Sequence, residues 1–319
     1  MGVENAGTTK KSAAELKEEI QRLKKEKDAV VLAHYYQREE VQEVADMIGD
    51  SLALARIAEK LPNKVIVMCG VHFMGETAKI LCPEKTVIVP DVEAGCSLAD
   101  SCDAVEFEKF VKAHPGHTVI SYVNTTAAVK ALTDVVVTSG NAMKVVNSFP
   151  KDEKIIFGPD RNLGEYINCA TGRQMVLWNG ACHVHDRFSI EKILEMKKEH
   201  PGAKVLVHPE CRRPLQIIAD KVGSTAALLE YASQDEAQEF IVVTESGILF
   251  EMRKKCPEKT FLAAPADDSE CQCNQCEFMK MITLEKLAQS MRTLQPQIEV
   301  APEIAEKARR PIERMLALS

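Results

Sequence analysis

The 319-residue chain has no long basic run, no apolar stretch near the ~20 residues of a membrane helix, and no apolar core in its N-terminal segment MGVENAGTTKKSAAELKEE. With a formal net charge of −7, these absences argue against a nucleic-acid surface, an anionic-membrane surface, a membrane span and a secretory signal. The same segment is not amphipathic and Arg-rich like a transit peptide. Ala6 stands where a myristoylation signal after Gly2 needs Ser or Thr. A cytoplasmic protein is expected, with neither nucleic acid nor membrane among its partners. At 45% hydrophobic and 27% charged residues, the chain also lacks the bias of a disordered or collagen-like sequence. Eleven cysteines without an export signal do not read as a disulfide framework. Most read as small apolar side chains, and position must separate those that bind metal.

What the chain does have is a repeat of about 87 residues. Three apolar runs end in polar residues: VVLAHYY with His34 and Tyr36, VISYVN with Tyr122 and Asn124, and VLVHPE with His208 and Glu210. His34, Tyr122 and His208 are 88 and 86 residues apart. A segment that opens on aspartate and closes on a hydroxyl follows each run: DMIGDS, DVVVTS and DKVGST, ending at Ser51, Ser139 and Thr225, always 17 residues on. A second run leads to Gly70, Gly158 and Gly247, at intervals of 88 and 89. A third run (TVIVPD, MVLWNG, TFLAAP) precedes Cys96, Cys182 and the Cys271–Cys276 cluster.

Between these runs, DSLALARIAEKL, NAMKVVNSF and STAALLEYASQ carry apolar residues at helical spacing. Strands that alternate with helices and lack in-out alternation fit parallel sheets buried on both faces. The expected fold is α/β: three repeated αβα layer units with parallel sheets about a pseudo-threefold axis, the active site at the centre. The units are placed at 1–104, 105–188 and 189–276, with C-terminal helices in 277–319 packing on the first. Ligands of parallel sheets lie beyond the carboxyl ends of the strands, and every residue singled out follows such an end.

One cysteine per unit is the arrangement that a threefold repeat supplies to an iron-sulfur cluster, leaving one iron without a protein ligand. Cys96 and Cys182 lie in Gly-containing loops just after a strand. In CQCNQC, spacing leaves Cys271, Cys273 and Cys276 open as the third ligand, with Cys271 nearest by interval. The same stretch also fits a zinc knuckle or a redox dithiol, and His183 and His185 beside Cys182 keep a mixed Cys/His zinc site open. Ser51, Ser139 and Thr225 at predicted helix starts fit N-capping and anion binding alike.

LAHYYQ, IGDS, FMGE, VPD, YVN, TSGNA, FGPDRNLGEY, NGACHVH, VHPEC and VGST, in that order, closely resemble the quinolinate synthase family from about residue 15 onward. The resemblance implies condensation of iminoaspartate with dihydroxyacetone phosphate to quinolinate, with loss of phosphate and water, in de novo NAD synthesis. It implies one 4Fe-4S cluster on Cys96, Cys182 and Cys276, the open iron acting as a Lewis acid. It implies substrate binding by His34, Ser51, Tyr122, Asn124, Ser139, His185, His208, Glu210 and Thr225. Tyr36 and Glu210, with His208 and Tyr122, are the expected proton-transfer residues. An aspartate oxidase or dehydrogenase is the expected source of iminoaspartate. Some members carry C-x-x-C-x-x-C where this chain has C-x-C-x-x-C, so a redox role for Cys271 and Cys273 is not carried over. Two rivals remain: another three-Cys, open-iron enzyme, such as an isoprenoid diphosphate reductase, and a zinc-stabilised binding module centred on CQCNQC.

Overall fold

In this computed structural model, which describes residues 11–267 and 274–319, the three apolar runs of each repeat, with the aspartate-led segment after the first, supply the four strands of one parallel sheet. The first contains β1 (Ala29–His34), β2 (Met47–Gly49), β3 (Val65–Cys69) and β4 (Thr86–Ile88). The second contains β5 (Thr118–Tyr122), β6 (Val135–Val137), β7 (Ile155–Gly158) and β8 (Val176–Leu177). The third contains β9 (Lys204–Val207), β10 (Lys221–Val222), β11 (Glu239–Val243) and β12 (Thr260–Ala263). Each sheet has the same spatial order, with the unit's first strand between its second and third. All six residues of β1 are buried, which is why the run shows no alternation. The fold is the expected α/β arrangement of three like units.

A repeated carboxylate fixes the register. Asp46, Asp134 and Asp220 each accept the backbone N–H of Val31, Val119 or Val205 at 2.8 Å. Each aspartate returns its own N–H to the carbonyl of the same valine, at 2.8, 2.9 and 2.9 Å. The aspartate that opens each sequence segment thus ties the second strand to the first.

These equivalent valines pair with Val67, Ile156 and Ile241. Counting along from those pairs, Gly70 shares its place with Pro159 and Thr244. The even spacing of Gly70, Gly158 and Gly247 therefore does not mark equivalent positions. The glycines meet different needs: a Cβ on Gly158 would lie 2.9 Å from Trp178 Cβ, whereas Gly247 caps the helix Ile248–Lys255.

Residue 104 opens the helix Ala104–Ala113, whose Phe107 packs with Val119 and Ile156 of the second sheet. Ser189 caps the helix Ile190–Glu199, whose Ile193 packs with Val205 and Ile241 of the third. The first helix, Ala13–Glu26, is closed by a reciprocal Ser12–Glu15 cap and buries Leu16, Ile20 and Leu23. It packs on β1 and on the helix Leu284–Thr293. The last helix, Pro302–Leu318, lies against the helix His72–Leu81 of the first unit and also against β6 and the helix Ala127–Lys130 of the second. No described helix is long and apolar enough to cross a membrane.

Candidate active site

The strand ends of all three sheets open on one cavity of about 730 Å³, counted to its open mouth. Its walls include His34, Tyr36 and Ser51 from the first unit, Tyr122, Asn124, Ser139 and His185 from the second, and His208, Glu210 and Thr225 from the third. Cys96, Cys182 and Cys276 line it as well. The structure thus brings together every candidate site residue read from the sequence within the described part. Cys271 and Cys273 lie outside the described residues. No Lys or Arg among the described residues lines the cavity, so an anionic ligand would meet neutral donors and helix starts.

Glu210 is the hub. Its carboxylate accepts the Tyr122 hydroxyl, stands 3.2 Å from His185 Nδ1, and lies 3.7 Å from His208 Nδ1. Burial opposes its charge, but His185 and His208 and the hydrogen bonds from His185 and Tyr122 hold it at about 2. Burial keeps His208 neutral, at about 3. His34 is also near 3, from burial and then the Lys280 charge. Burial pushes the phenols of Tyr36 and Tyr122 well above their ordinary value, so both are proton-bearing donors. Tyr36 bonds Thr225 Oγ1 at 2.7 Å and Thr244 Oγ1 at 2.8 Å, and Thr244 Oγ1 is 2.9 Å from His185 Nε2. A hydrogen-bonded row therefore runs from Tyr36 through Thr244 and His185 to Glu210.

Two of the three hydroxyls begin helices, as expected. Ser51 and Thr225 are the first residues of Ser51–Lys60 and Thr225–Gln234. The caps themselves are Asp50, which accepts from Ala53 N–H, and Ser224, which accepts from Ala227 N–H. Ser51 and Thr225 are left to face the cavity at the positive end of a helix. Ser139 departs from this pattern. Its helix starts at Ala142, because Asn141 Oδ1 takes the Thr138 N–H at 2.6 Å and closes a side-chain turn first. Ser139 Oγ instead lies 3.3 Å from His208 Nε2, across the unit boundary.

Each cysteine occupies the cap position of a four-residue helix: Ser97–Asp100, His183–Asp186 and Glu277–Lys280. Burial pushes the Cys96 thiol up to about 12, and the N–H groups of Ala99 and Leu98 pull the other way. Burial takes Cys276 to about 11 against the N–H groups of Met279 and Phe278. Burial and then the Glu210 charge put Cys182 well above the ordinary range, opposed by the His185 N–H. Three soft sulfurs, each backed by free helix-start N–H groups, could hold an iron-sulfur cluster, whose iron would displace the thiol protons. Cys182, His185 and Glu210 also place ligand-capable atoms within 4.8 Å of one another.

Three positions that bond the candidate site residues escape the sequence patterns. Asp160 Oδ2 accepts the Cys182 N–H at 3.2 Å, and Glu245 Oε1 accepts the Cys276 N–H at 3.1 Å. Asp160 and Glu245 share one register position, where the first unit has Val71. Thr244, which links Tyr36 to His185, directly precedes Glu245. The signal available was an acid one or two residues beyond an apolar run, visible once the strands are aligned by their pairing. Lys280 Nζ pairs with Glu245 at 3.0 Å and bonds the Tyr36 carbonyl.

Three α/β units that pool acid-base groups, hydroxyls and thiols around one cavity define an enzyme built by internal repetition. The family model for Quinolinate synthetase A protein matches residues 18–317. The chain is 53% identical over 306 residues to the quinolinate synthase of Synechococcus sp., covering 96% of each chain. It is 53% identical over 308 residues to that of Chloroherpeton thalassium, covering 97% of this chain and 96% of the relative. It is 50% identical over 311 residues to that of Cyanophora paradoxa, with 98% and 94% covered. The chain belongs to the quinolinate synthetase A family, and with that membership comes quinolinate synthesis in NAD biosynthesis. The family generally uses a 4Fe-4S cluster. Membership sets aside the diphosphate reductase and the zinc-centred binding module.

Proposed function

We propose that the chain condenses iminoaspartate with dihydroxyacetone phosphate to quinolinate, releasing phosphate and water, with a 4Fe-4S cluster on Cys96, Cys182 and Cys276. The observation that carries this is the cavity itself, lined by three equivalent thiols together with Glu210 and the tyrosines and histidines around it. The bound cluster supplies an open iron that polarises substrate oxygens as a Lewis acid.

The residues supply binding and proton transfer. The helix starts at Ser51 and Thr225, with Ser139 and Asn124, receive the carboxylates of the substrate with no Lys or Arg in the cavity lining among the described residues. Removing the proton that frees a carbon nucleophile needs a deprotonated group within reach of it, and Glu210, a carboxylate facing the cavity, is placed to be that group. Tyr36 and Tyr122 enter the reaction protonated, donate hydrogen bonds to developing oxyanions and can pass a proton on. The row from Tyr36 through Thr244 to His185 offers a path by which a proton spent at Tyr36 is replaced. His185 stands beside both Cys182 and Glu210, where it positions the phosphate-bearing substrate. Iminoaspartate comes from an enzyme that oxidises aspartate, an oxidase or a dehydrogenase.

The test is an anaerobic assay of quinolinate from iminoaspartate generated in situ and dihydroxyacetone phosphate, without added reductant. Glu210→Gln and Tyr36→Phe should each retain iron and lower kcat by about 10²-fold or more. Undiminished turnover in both variants would remove them from the chemistry. An iron-loaded parent that makes no quinolinate would overturn the reading.

A further inference from the structure

The residue after each cysteine points toward its counterparts in the other units. Ser97 Oγ lies 2.5 Å from His183 Nδ1, and His183 Nε2 lies 4.0 Å from Glu277 Oε2. The imidazole thus has a ring nitrogen toward each neighbouring unit. The row runs from Glu277, whose side chain is 64% exposed, to His183 at 21% exposed, and on to the half-buried Ser97. Phe278 meets the His183 ring edge-on with centroids 6.0 Å apart, and its ring covers Gly95, where an added Cβ would lie 3.8 Å away.

The three cysteine loops are not held alike. Asp160 anchors the N–H of Cys182 and Glu245 that of Cys276, but the equivalent Val71 has no side-chain oxygen to offer Cys96. The Ser97–His183 bond supplies a tie for that loop directly beside the thiol. We propose that Ser97 and His183, with Glu277 at the rim, form a clasp that fixes Cys96 against the other two cysteines and closes the solvent side of the cluster. Both are positioning residues, and the inference rests on the reading that the three thiols hold the cluster.

The experiment follows extraction of iron from the anaerobically prepared holoenzyme by a strong ferrous chelator, read as loss of the cluster's visible absorbance. Ser97→Ala and His183→Ala should each lose the cluster about five- to tenfold faster than the parent, the effect of one hydrogen bond on a barrier. Ser97→Thr, which keeps the hydroxyl, should stay within about twofold. The double variant Ser97→Ala/His183→Ala should be no faster than His183→Ala alone, and the metal-free melting temperature should not change. Rates within about twofold of the parent for both alanine variants, or single effects that multiply in the double variant, would overturn the clasp. If His183→Ala takes up no cluster, Ser97→Ala and Ser97→Thr decide the matter. A parent chain that binds no iron contradicts the cluster reading itself.

Discussion

Glu210 is 3% exposed and still a carboxylate, and that combination sets the chemistry of the cavity. A buried acid without partners would protonate; a hydroxyl and two imidazoles keep this one charged. Burial keeps His34 and His208 neutral, and this has a stability consequence. His34 and His208 fall from an ordinary 6.5 to about 3 on folding. The unfolded chain therefore binds more protons than the folded one between those values, and stability falls as pH drops from 6.5 toward 3. Glu210 adds to the loss below 4.5. Urea unfolding of the metal-free chain between pH 7 and 5 should show this slope. His34→Asn should reduce it by up to about 1.4 kcal/mol per pH unit. An unchanged slope would show that His34 is protonated in the folded state.

The elements are held by a small number of repeated ties. Asp134→Ala removes the acceptor of a strand N–H and should cost about 1–3 kcal/mol in urea unfolding, with Asp220→Ala behaving alike and Asp46→Ala costing more, because Asp46 also pairs with the buried Lys24 at 2.9 Å. Glu19, 8% exposed, takes Arg292 in two bonds of 2.7 and 2.6 Å and joins the first helix to Leu284–Thr293. Those bonds, against burial, bring its carboxyl to about 2. Arg292→Ala should cost about 2 kcal/mol near neutral pH. The difference from the parent should shrink as pH falls from 4.5 toward 2, because the protonated acid no longer gains from the arginine. The strands and longer helices were legible because apolar runs and helical spacing report burial directly. The start of the helix at Ala142 was not, since Asn141 competes for the Thr138 N–H through its side chain. Nor was the true register of FIVVTESG: aligned by its glycine, Gly247 falls with Gly70 and hides Thr244 and Glu245. Strand pairing, not residue identity, defines equivalence there.

At the scale of the whole molecule, repetition supplies three strand ends and three thiols, and divergence supplies the chemistry. His34 and His208 occupy repeat positions where the second unit has Tyr122, and Glu210 stands where the others carry Tyr36 and Asn124. That division was visible in the sequence because period and strand ends coincide. Which bonds cross between units was not, because spacing carries no information about facing surfaces. With net charge −7 and no Lys or Arg lining the cavity among the described residues, oriented dipoles are what the centre offers an anion.

The most direct test is the metal content of anaerobically purified protein. The parent should carry about four irons and matching acid-labile sulfide per chain, and Cys96→Ala, Cys182→Ala and Cys276→Ala should each lose the cluster and quinolinate formation while remaining folded. A parent that holds zinc without sulfide, or a Cys96→Ala or Cys276→Ala variant with its full iron and activity, would contradict a cluster shared among the three units.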